Sequence, residues 1–471
     1  MNRSKNLVKN TTIIFIGTIC TKLLTFFLLP LYTGFLSTEE FGIVDLFTTI
    51  ISLTIPIIGL QIEQGLFRFL IDNRNNENKK KELISTSFFF VAINCIIFFI
   101  IFLFISPFIH NEYKYFLLTN VIACMFSTLM LQIARGFGDN KKYSIAGVVT
   151  ALFTIICNIL FLVSLHLGVN GMLLGTLIGY ITGIIYLSFS LNLYSYISIH
   201  SIKKGMLKEL MKYSLPLVPN QLSWWVFNTS DRVIVSIILG LSANGILSVS
   251  YKFSSAFIML YNIFNMSWTE SIVLHINDDD VNEYFNKTFN VIFNFFASSG
   301  LLLIAFMPII FKIMINSNYV EAYNLIPIPI LATICQVIVG LVSVVYVARN
   351  DTKAIASTAI ISAIVNFMIH ISLIKYIGLY AAVISTFISY FVFAVYRTYD
   401  VSKKYIKIKY ECRNLFSMLF ITVLILCLYY IENMYTNLFM MIIALLYFIL
   451  INRKSFTFIK SIVLKKMGKR C

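Results

Sequence analysis

Three cations stand inside apolar stretches of this chain: Lys22, Arg232 and Lys252. A fixed charge at the centre of a membrane helix costs about 2.5–3.5 kcal/mol on insertion scales, so such residues face a pathway and have partners. Arg232 and Lys252 lie at matching depth, each about 9–10 Å from a run end at about 1.5 Å per residue. Four carboxylates also stand inside apolar stretches: Asp45, Glu63, Asp231 and Glu270. The chemistry open to this set is recognition. A cationic balance suits a phosphate or a carboxylate, and the four acids are candidates for coupling to H⁺ or Na⁺. The alternative is that Asp231 neutralises Lys252 or Lys22 in a structural pair.

Bond-making chemistry has no comparable foundation. The histidines (His110, His166, His200, His275, His370) are isolated, with no HExxH or other metal-ligand spacing. The eight cysteines are scattered, without a CxxC, and imply no disulfide framework. No P-loop, GxSxG or GxGxxG context appears. The one carboxylate run, Asp278-Asp279-Asp280, reads as a solvated loop. No catalytic residue, metal ligand or cofactor is expected, apart from the coupling ion.

The elements that hold these residues follow from composition. The 471 residues are 59% hydrophobic and only 12% charged, where a soluble chain has about 45–50% and about 25%. Lipid leaves the helix as the way to satisfy every backbone group within one segment. The expectation is an all-α polytopic membrane protein. Fourteen apolar runs fall near 11–33, 43–67, 83–106, 115–134, 145–165, 172–194, 213–239, 246–274, 288–314, 322–347, 355–374, 378–396, 414–431 and 434–452. With a cytoplasmic N-terminus, inner segments hold 31 Lys and Arg and outer ones only Lys114, Lys312 and Lys375. That asymmetry is the positive-inside rule and places both termini in the cytoplasm. The net charge of +16 is thereby topology, and nucleic acid binding drops out. The basic tail at Lys465, Lys466, Lys469 and Arg470 reads as a cytoplasmic segment near anionic lipid.

An internal repeat organises the runs. Gly168, Thr176, Tyr180 and Tyr186 recur as Gly378, Thr386, Tyr390 and Tyr396. Arg135, Asp139 and Lys142 parallel Arg349, Asp351 and Lys353, and Asn158 parallels Asn366. Near the front of each half, Leu36-Ser37 and Gly42-Ile43 parallel Leu241-Ser242 and Gly245-Ile246. Six spans per copy is an even number, so the copies are like-oriented, an arrangement suited to alternating access. The expected organisation is a six-helix lobe (1–195), a linker (196–212), a second six-helix lobe (213–400) around a central cavity, a basic loop (401–413), helices 13 and 14 (414–452) and a basic tail (453–471).

The repeat also says which helices face the middle. Span 1 carries Thr18, Thr21, Lys22, Thr25 and Tyr32 at helical spacing, and span 2 carries Asp45, Thr48, Ser52, Gly59 and Glu63. Their counterparts are span 7, with Gln221, Trp224, Asn228, Asp231 and Arg232, and span 8, with Ser248, Lys252, Ser255, Asn262, Thr269 and Glu270. Polar stripes also serve as interhelical glue. Four stripes at matched positions favour a water-accessible cavity.

Span 7 begins Tyr213-Ser214-Leu215-Pro216-Leu217-Val218-Pro219-Asn220 and continues through Ser230-Asp231-Arg232 to Gly240 and Gly245-Ile246. With Leu29-Pro30-Leu31-Tyr32 and Phe41-Gly42, it resembles the polysaccharide biosynthesis protein family. These are the O-antigen and capsule repeat-unit flippases of the multidrug/oligosaccharidyl-lipid/polysaccharide exporter superfamily. The resemblance implies movement of an undecaprenyl-diphosphate-linked oligosaccharide from the cytoplasmic to the outer leaflet of a bacterial plasma membrane, without enzymatic chemistry. It implies a phosphate and sugar site at Lys22, Arg232, Lys252, Asn228, Trp224 and Trp225. Membrane lipids are implied partners, and the polysaccharide polymerase and export machinery are candidates. Two rivals remain: a drug or cation antiporter of the same superfamily, which fixed cations disfavour, and a membrane polymerase or glycosyltransferase, which short, nearly uncharged outer loops disfavour.

Overall fold

The computed structural model describes residues 25–453, and among them the ordered elements are helices, with no strand. Lys22, Thr18, Thr21 and residues 454–471 of the basic tail lie outside the described residues. The chain divides into two compact units, Met1–Gly245 and Ile246–Cys471. The first contains α1 (Leu29–Phe35), α2 (Thr38–Gly59), α3 (Ile62–Asp72), α4 (Glu77–Ile105), α5 (Lys114–Phe137), α6 (Asn140–Ile159), α7 (Gly168–Ser190), α8 (Lys204–Ser214) and α9 (Leu217–Ile238). Next come α10 (Leu241–His275), α11 (Val281–Met314), α12 (Val320–Leu325), α13 (Pro327–Ala348), α14 (Thr352–Ile377), α15 (Tyr380–Lys404), α16 (Cys412–Tyr429) and α17 (Met434–Ile451).

Eleven of the described helices are long and apolar enough to cross a membrane. The fourteen expected runs exceed these by three, for identifiable reasons. The first run lies mostly before residue 25. Helices α9 and α10, at 22 and 35 residues, have the length, but their polar stripes dilute the apolar character by which a span is recognised. Apolar exposure fits a lipid solvent: α4 leaves Ile96, Ile100 and Phe104 uncovered, and α17 leaves Leu446 and Leu450 uncovered. Burying these would gain nothing, because lipid tails are as apolar as a protein core. Within the first unit, Ile62, Leu66, Leu70, Leu83, Val121, Leu129 and Ile133 form the core.

The sequence repeat is written into local backbone geometry. Asp139 caps α6 by accepting from Lys142 N at 3.1 Å, and Asp351 caps α14 by accepting from Ala354 N at 3.1 Å. The two caps share φ/ψ values of −88/66 and −85/68. Each follows a left-handed residue, Gly138 at φ 83 and Asn350 at φ 57. Each donates its own N–H back into the preceding helix, Asp139 to Ala134 O and Asp351 to Tyr346 O. Such capping side chains satisfy backbone donors that a helix start leaves open. The Asp351 carboxyl is held below the usual carboxylate range by the Ala354 N–H and by the Tyr405 hydroxyl, which donates to Oδ2 at 2.8 Å. Gly168 and Gly378, the residues with which each matched segment opens, are also both left-handed.

Candidate functional site

The site is built from α2 and α9. Helix α2 starts in a capping box: Ser37 Oγ accepts from Glu40 N, and Glu40 Oε2 accepts from Ser37 N at 2.8 Å. One turn on, α2 crosses the first turn of α10. A Cβ on Gly42 would fall 1.9 Å from Leu241 O, and one on Gly245 would fall 1.9 Å from Thr38 O. Each glycine thus meets the carbonyl four residues ahead of the other. Asn244 Nδ2 donates to Gly42 O at 3.0 Å, and Thr38 and Ser242 share a 2.7 Å hydroxyl contact. Backbones this close tolerate only glycine at the crossing.

Asp45 follows on α2 and is buried. Arg232 of α9 donates from Nη1 to Asp45 Oδ1 at 3.0 Å. The two side chains are exposed unequally, 22% for Arg232 and 4% for Asp45. The carboxylate is therefore a buried anchor and the guanidinium reaches outward. This is the one hydrogen bond that the Arg232 side chain donates among the described residues, out of five N–H donors on a guanidinium. A second tie fixes the register of α9 on α2: Trp225 Nε1 donates to Thr49 O at 3.2 Å and Ser52 Oγ at 3.0 Å. Asp231, next to Arg232, is buried. Trp224 is 39% exposed and meets Phe227 edge-on. Asn228 is exposed, with Nδ2 donating to Trp224 O. Gln221, Trp224, Asn228 and Arg232 recur at helical spacing, so one face of α9 carries the open indole, the amide and the guanidinium together.

Helix α2 contains Pro56 and ends where Leu60 and Gln61 both take left-handed backbone, at φ 49 and 55. Two consecutive side chains in that region are strained and mark a forced break. Pro56 removes one ladder donor, and Asn94 Nδ2 caps the loosened end by donating to Ile58 O at 2.7 Å. Glu63, in the first turn of α3, is 8% exposed beside this break. The structure therefore brings together Asp45, Arg232 and Trp225, with Trp224, Asn228 and Asp231 on the same helix. Lys252 is half-buried and Glu270 exposed, both on α10 in the second unit.

One residue escaped the sequence reading. Arg397 was expected among the cytoplasmic loop cations, but α15 runs on to Lys404 and Arg397 is 3% exposed within it. Its Nε and Nη2 donate to Thr358 Oγ1, Nη2 also to Ile355 O, and Nη1 to Ser343 Oγ. The guanidinium lies 4.1 Å from the Phe393 ring centroid. The usable signal was the absence of any Gly or Pro between 379 and 404, which leaves nothing to stop the helix at 396.

Comparison with known proteins places this geometry. The family model described as "Polysaccharide biosynthesis protein" matches residues 7–269. No curated protein sequence matches the chain. Among solved structures, the lipid II flippase MurJ in an inward closed conformation superposes with a TM-score of 0.71 at 16% identity, covering 96% of this chain and 100% of its own. An inward-facing multidrug resistance MATE family transporter of the MOP superfamily gives 0.67 at 14% identity, covering 82% and 98%. A MOP superfamily transporter from Pyrococcus furiosus gives 0.57 at 15% identity, covering 83% and 94%. The fold is that of these membrane transporters.

Proposed function

Since the chain belongs to the polysaccharide biosynthesis protein family, we propose that this multi-pass membrane protein is a flippase for an undecaprenyl-diphosphate-linked oligosaccharide repeat unit. It moves this lipid by alternating access from the cytoplasmic to the outer leaflet of a bacterial plasma membrane. No bond is made or broken. The barrier is transfer of a charged diphosphate and polar sugars through hydrocarbon, where an unsatisfied polar group costs several kcal/mol. The observation that carries the reading is the unequal exposure of the Arg232–Asp45 pair. A buried carboxylate fixes the direction of a guanidinium whose remaining donors suit phosphate oxygens bidentately. Trp224 and Asn228, open on the same face, meet sugar rings and hydroxyls, and Trp225 locks that face in register. Lys22 is proposed to complete the cationic set of the first unit, and Lys252 is proposed as a substrate-binding cation of the second.

Coupling to H⁺ or Na⁺ is assigned to Glu63. Asp45 already neutralises Arg232, and Glu270 is exposed; Asp231 and Glu63 are both buried, and of these two Glu63 lies beside a broken helix while Asp231 lies within α9. Loosened backbone at membrane depth is where transporters place such groups. Both termini are assigned to the cytoplasm on the charge asymmetry. In a background without native cysteines, single cysteines at 75 and 205 should resist impermeant reagents in intact cells, while those at 38 and 243 react. The decisive test is reconstitution. Purified protein in liposomes should translocate lipid-linked oligosaccharide without changing its mass. A consistent mass change would favour the polymerase or glycosyltransferase reading, and proton-driven efflux of a cationic dye would favour the antiporter.

A further inference from the structure

A second polar site lies in the second unit, away from every residue used above. After α15 the chain runs from Tyr405 to Glu411 without secondary structure, yet its backbone is held. Asn286 Nδ2 donates to Lys407 O at 2.8 Å while its Oδ1 accepts from Lys409 N. Asn290, one turn on, donates to Lys409 O at 2.8 Å and accepts from Glu411 N at 3.1 Å. The two amides mimic a neighbouring strand. They pin alternate residues, so Ile406 is buried while Lys407 and Lys409 are exposed. The pinned segment delivers Arg413 into a cavity of about 210 Å³ between α11, α16 and α17.

Arg453 lines the same cavity, as do Asn452, Glu411 and the apolar Val291 and Leu450. Glu411 is engaged by Asn414, whose Nδ2 donates to it at 2.6 Å. Asn452 is 1% exposed. Its Nδ2 donates to Ser298 Oγ and Phe448 O, both at 2.9 Å. Among the described residues its Oδ1 has no hydrogen-bond partner, and a buried acceptor left open calls for a donor. From the cavity's apolar lining outward, Val291 and Phe295 on α11 and Leu446 and Leu450 on α17 are exposed apolar side chains one turn apart on each helix. A larger open groove of about 780 Å³, lined by Lys287, Lys407 and Lys409, shares Glu411 with the cavity.

We propose that this cavity binds an anionic phospholipid with a hydroxylated headgroup, of the phosphatidylglycerol class. Arg413 and Arg453 take the phosphate, Asn452 Oδ1 takes a headgroup hydroxyl, and the acyl chains follow the apolar sides of α11 and α17. Lys287, Lys407 and Lys409 raise the local lipid concentration through their field. The assignment rests on the membrane fold and stands whether or not the chain is a flippase.

The test uses the purified full chain in detergent, with lipid binding read by native mass spectrometry and thermal unfolding. Short-chain phosphatidylglycerol should bind at least about tenfold more tightly than short-chain phosphatidylcholine, the scale of one lost charge-assisted contact. Arg413→Gln with Arg453→Gln should abolish that preference, while Arg413→Lys with Arg453→Lys should keep most of it. Both arginines are exposed, so the lipid-free melting temperature should not move, and Arg453→Gln alone should already halve the preference if the double variant folds poorly. Equal binding of the two lipids, or an unchanged preference in the Gln variants, overturns the site. Displacement by inorganic phosphate would make it a free-anion site. Tighter, Arg413- and Arg453-dependent binding of farnesyl diphosphate would hand it to the isoprenoid diphosphate, and either result overturns the phospholipid assignment.

Discussion

Arg232 and Arg397 both sit within long helices, one in each unit, and are held in opposite ways. Arg397 is 3% exposed and spreads its donors over Thr358, Ser343 and Ile355, with Phe393 stacked on its face. Tyr346, whose ring centroid lies 5.8 Å from the guanidinium, donates to Asp400 at 2.7 Å. Arg232 makes one contact, to a carboxylate, and keeps part of its side chain open. A guanidinium whose three nitrogens all donate to neutral groups is a knot in the packing. One held by a single buried anchor has hydrogen bonds left to give. Exposure and donor use separate the two, where charge and position in a helix do not.

The largest effect that would break this comparison is at Arg232. Asp45→Asn with Arg232→Gln replaces the ion pair by two neutral amides, so neither partner is left as a buried unpaired charge. Membrane abundance should stay near wild type while export of surface polysaccharide falls by about 100-fold or more, the scale of two charge-assisted hydrogen bonds. Normal export by this double variant would reduce the Arg232–Asp45 pair to a structural one and overturn the phosphate assignment.

The converse holds for Arg397. Arg397→Met fills most of the volume but removes the donors that reach Thr358, Ser343 and the Ile355 carbonyl, and a lost hydrogen bond to a charged group costs about 1.5–3 kcal/mol. Abundance should drop several-fold on immunoblots of membranes, while transport per surviving molecule is retained. Full abundance with lost transport would move Arg397 from the packing into the pathway.

What the sequence made legible follows from range. Apolar runs, the basic asymmetry and the repeat are visible in the sequence itself, and they anticipated the helical fold, the matched positions of Asp139 and Asp351 (though not that both are caps), and the polarity of α9 and α10. The Gly42 and Gly245 motifs were visible as repeats, but not that they touch, because contact across some 200 residues leaves no periodicity. For the same reason the sequence suggested Asp231 as the acid to neutralise Lys252 or Lys22 but could not pair Arg232 with Asp45, 187 residues away. The break at Leu60–Gln61 was hidden because no glycine occupies it. Arg397 was misplaced because a helix end was drawn where hydropathy faded, although nothing there ends a helix.

The glycine crossing offers an intermediate effect and its own control. Gly42→Ala puts a methyl against a backbone carbonyl that has no rotamer to escape into, and overpacking of this kind costs about 1–3 kcal/mol. Gly147, inside α6, has nothing within 4 Å of its would-be Cβ. Gly147→Ala should therefore stabilise by up to about 1 kcal/mol through helix propensity. Thermal unfolding in detergent should show shifts of opposite sign. A Gly42→Ala protein as stable as Gly147→Ala would mean that α2 and the start of α10 do not meet as described.

The smallest effects come from Arg→Lys at the two arginines, and they sharpen the comparison most. Lysine keeps the charge but is a compact ammonium with three donors, without the planar fork or the stacking face. At Arg232 the anchor needs one donor, so Lys can still pair with Asp45. What it loses is the bidentate grip on a diphosphate. Export should fall several-fold, with abundance and melting temperature unchanged, and the deficit should shrink when substrate is raised, because lysine still binds phosphate as a point charge. At Arg397 the donors serve three neighbouring residues from different directions and the flat face packs on Phe393. One ammonium cannot reproduce that set, so Arg397→Lys should lower the melting temperature by a few degrees and leave transport per molecule intact. If instead Arg232→Lys is the less stable protein and Arg397→Lys the less active one, the roles assigned to the two arginines are reversed.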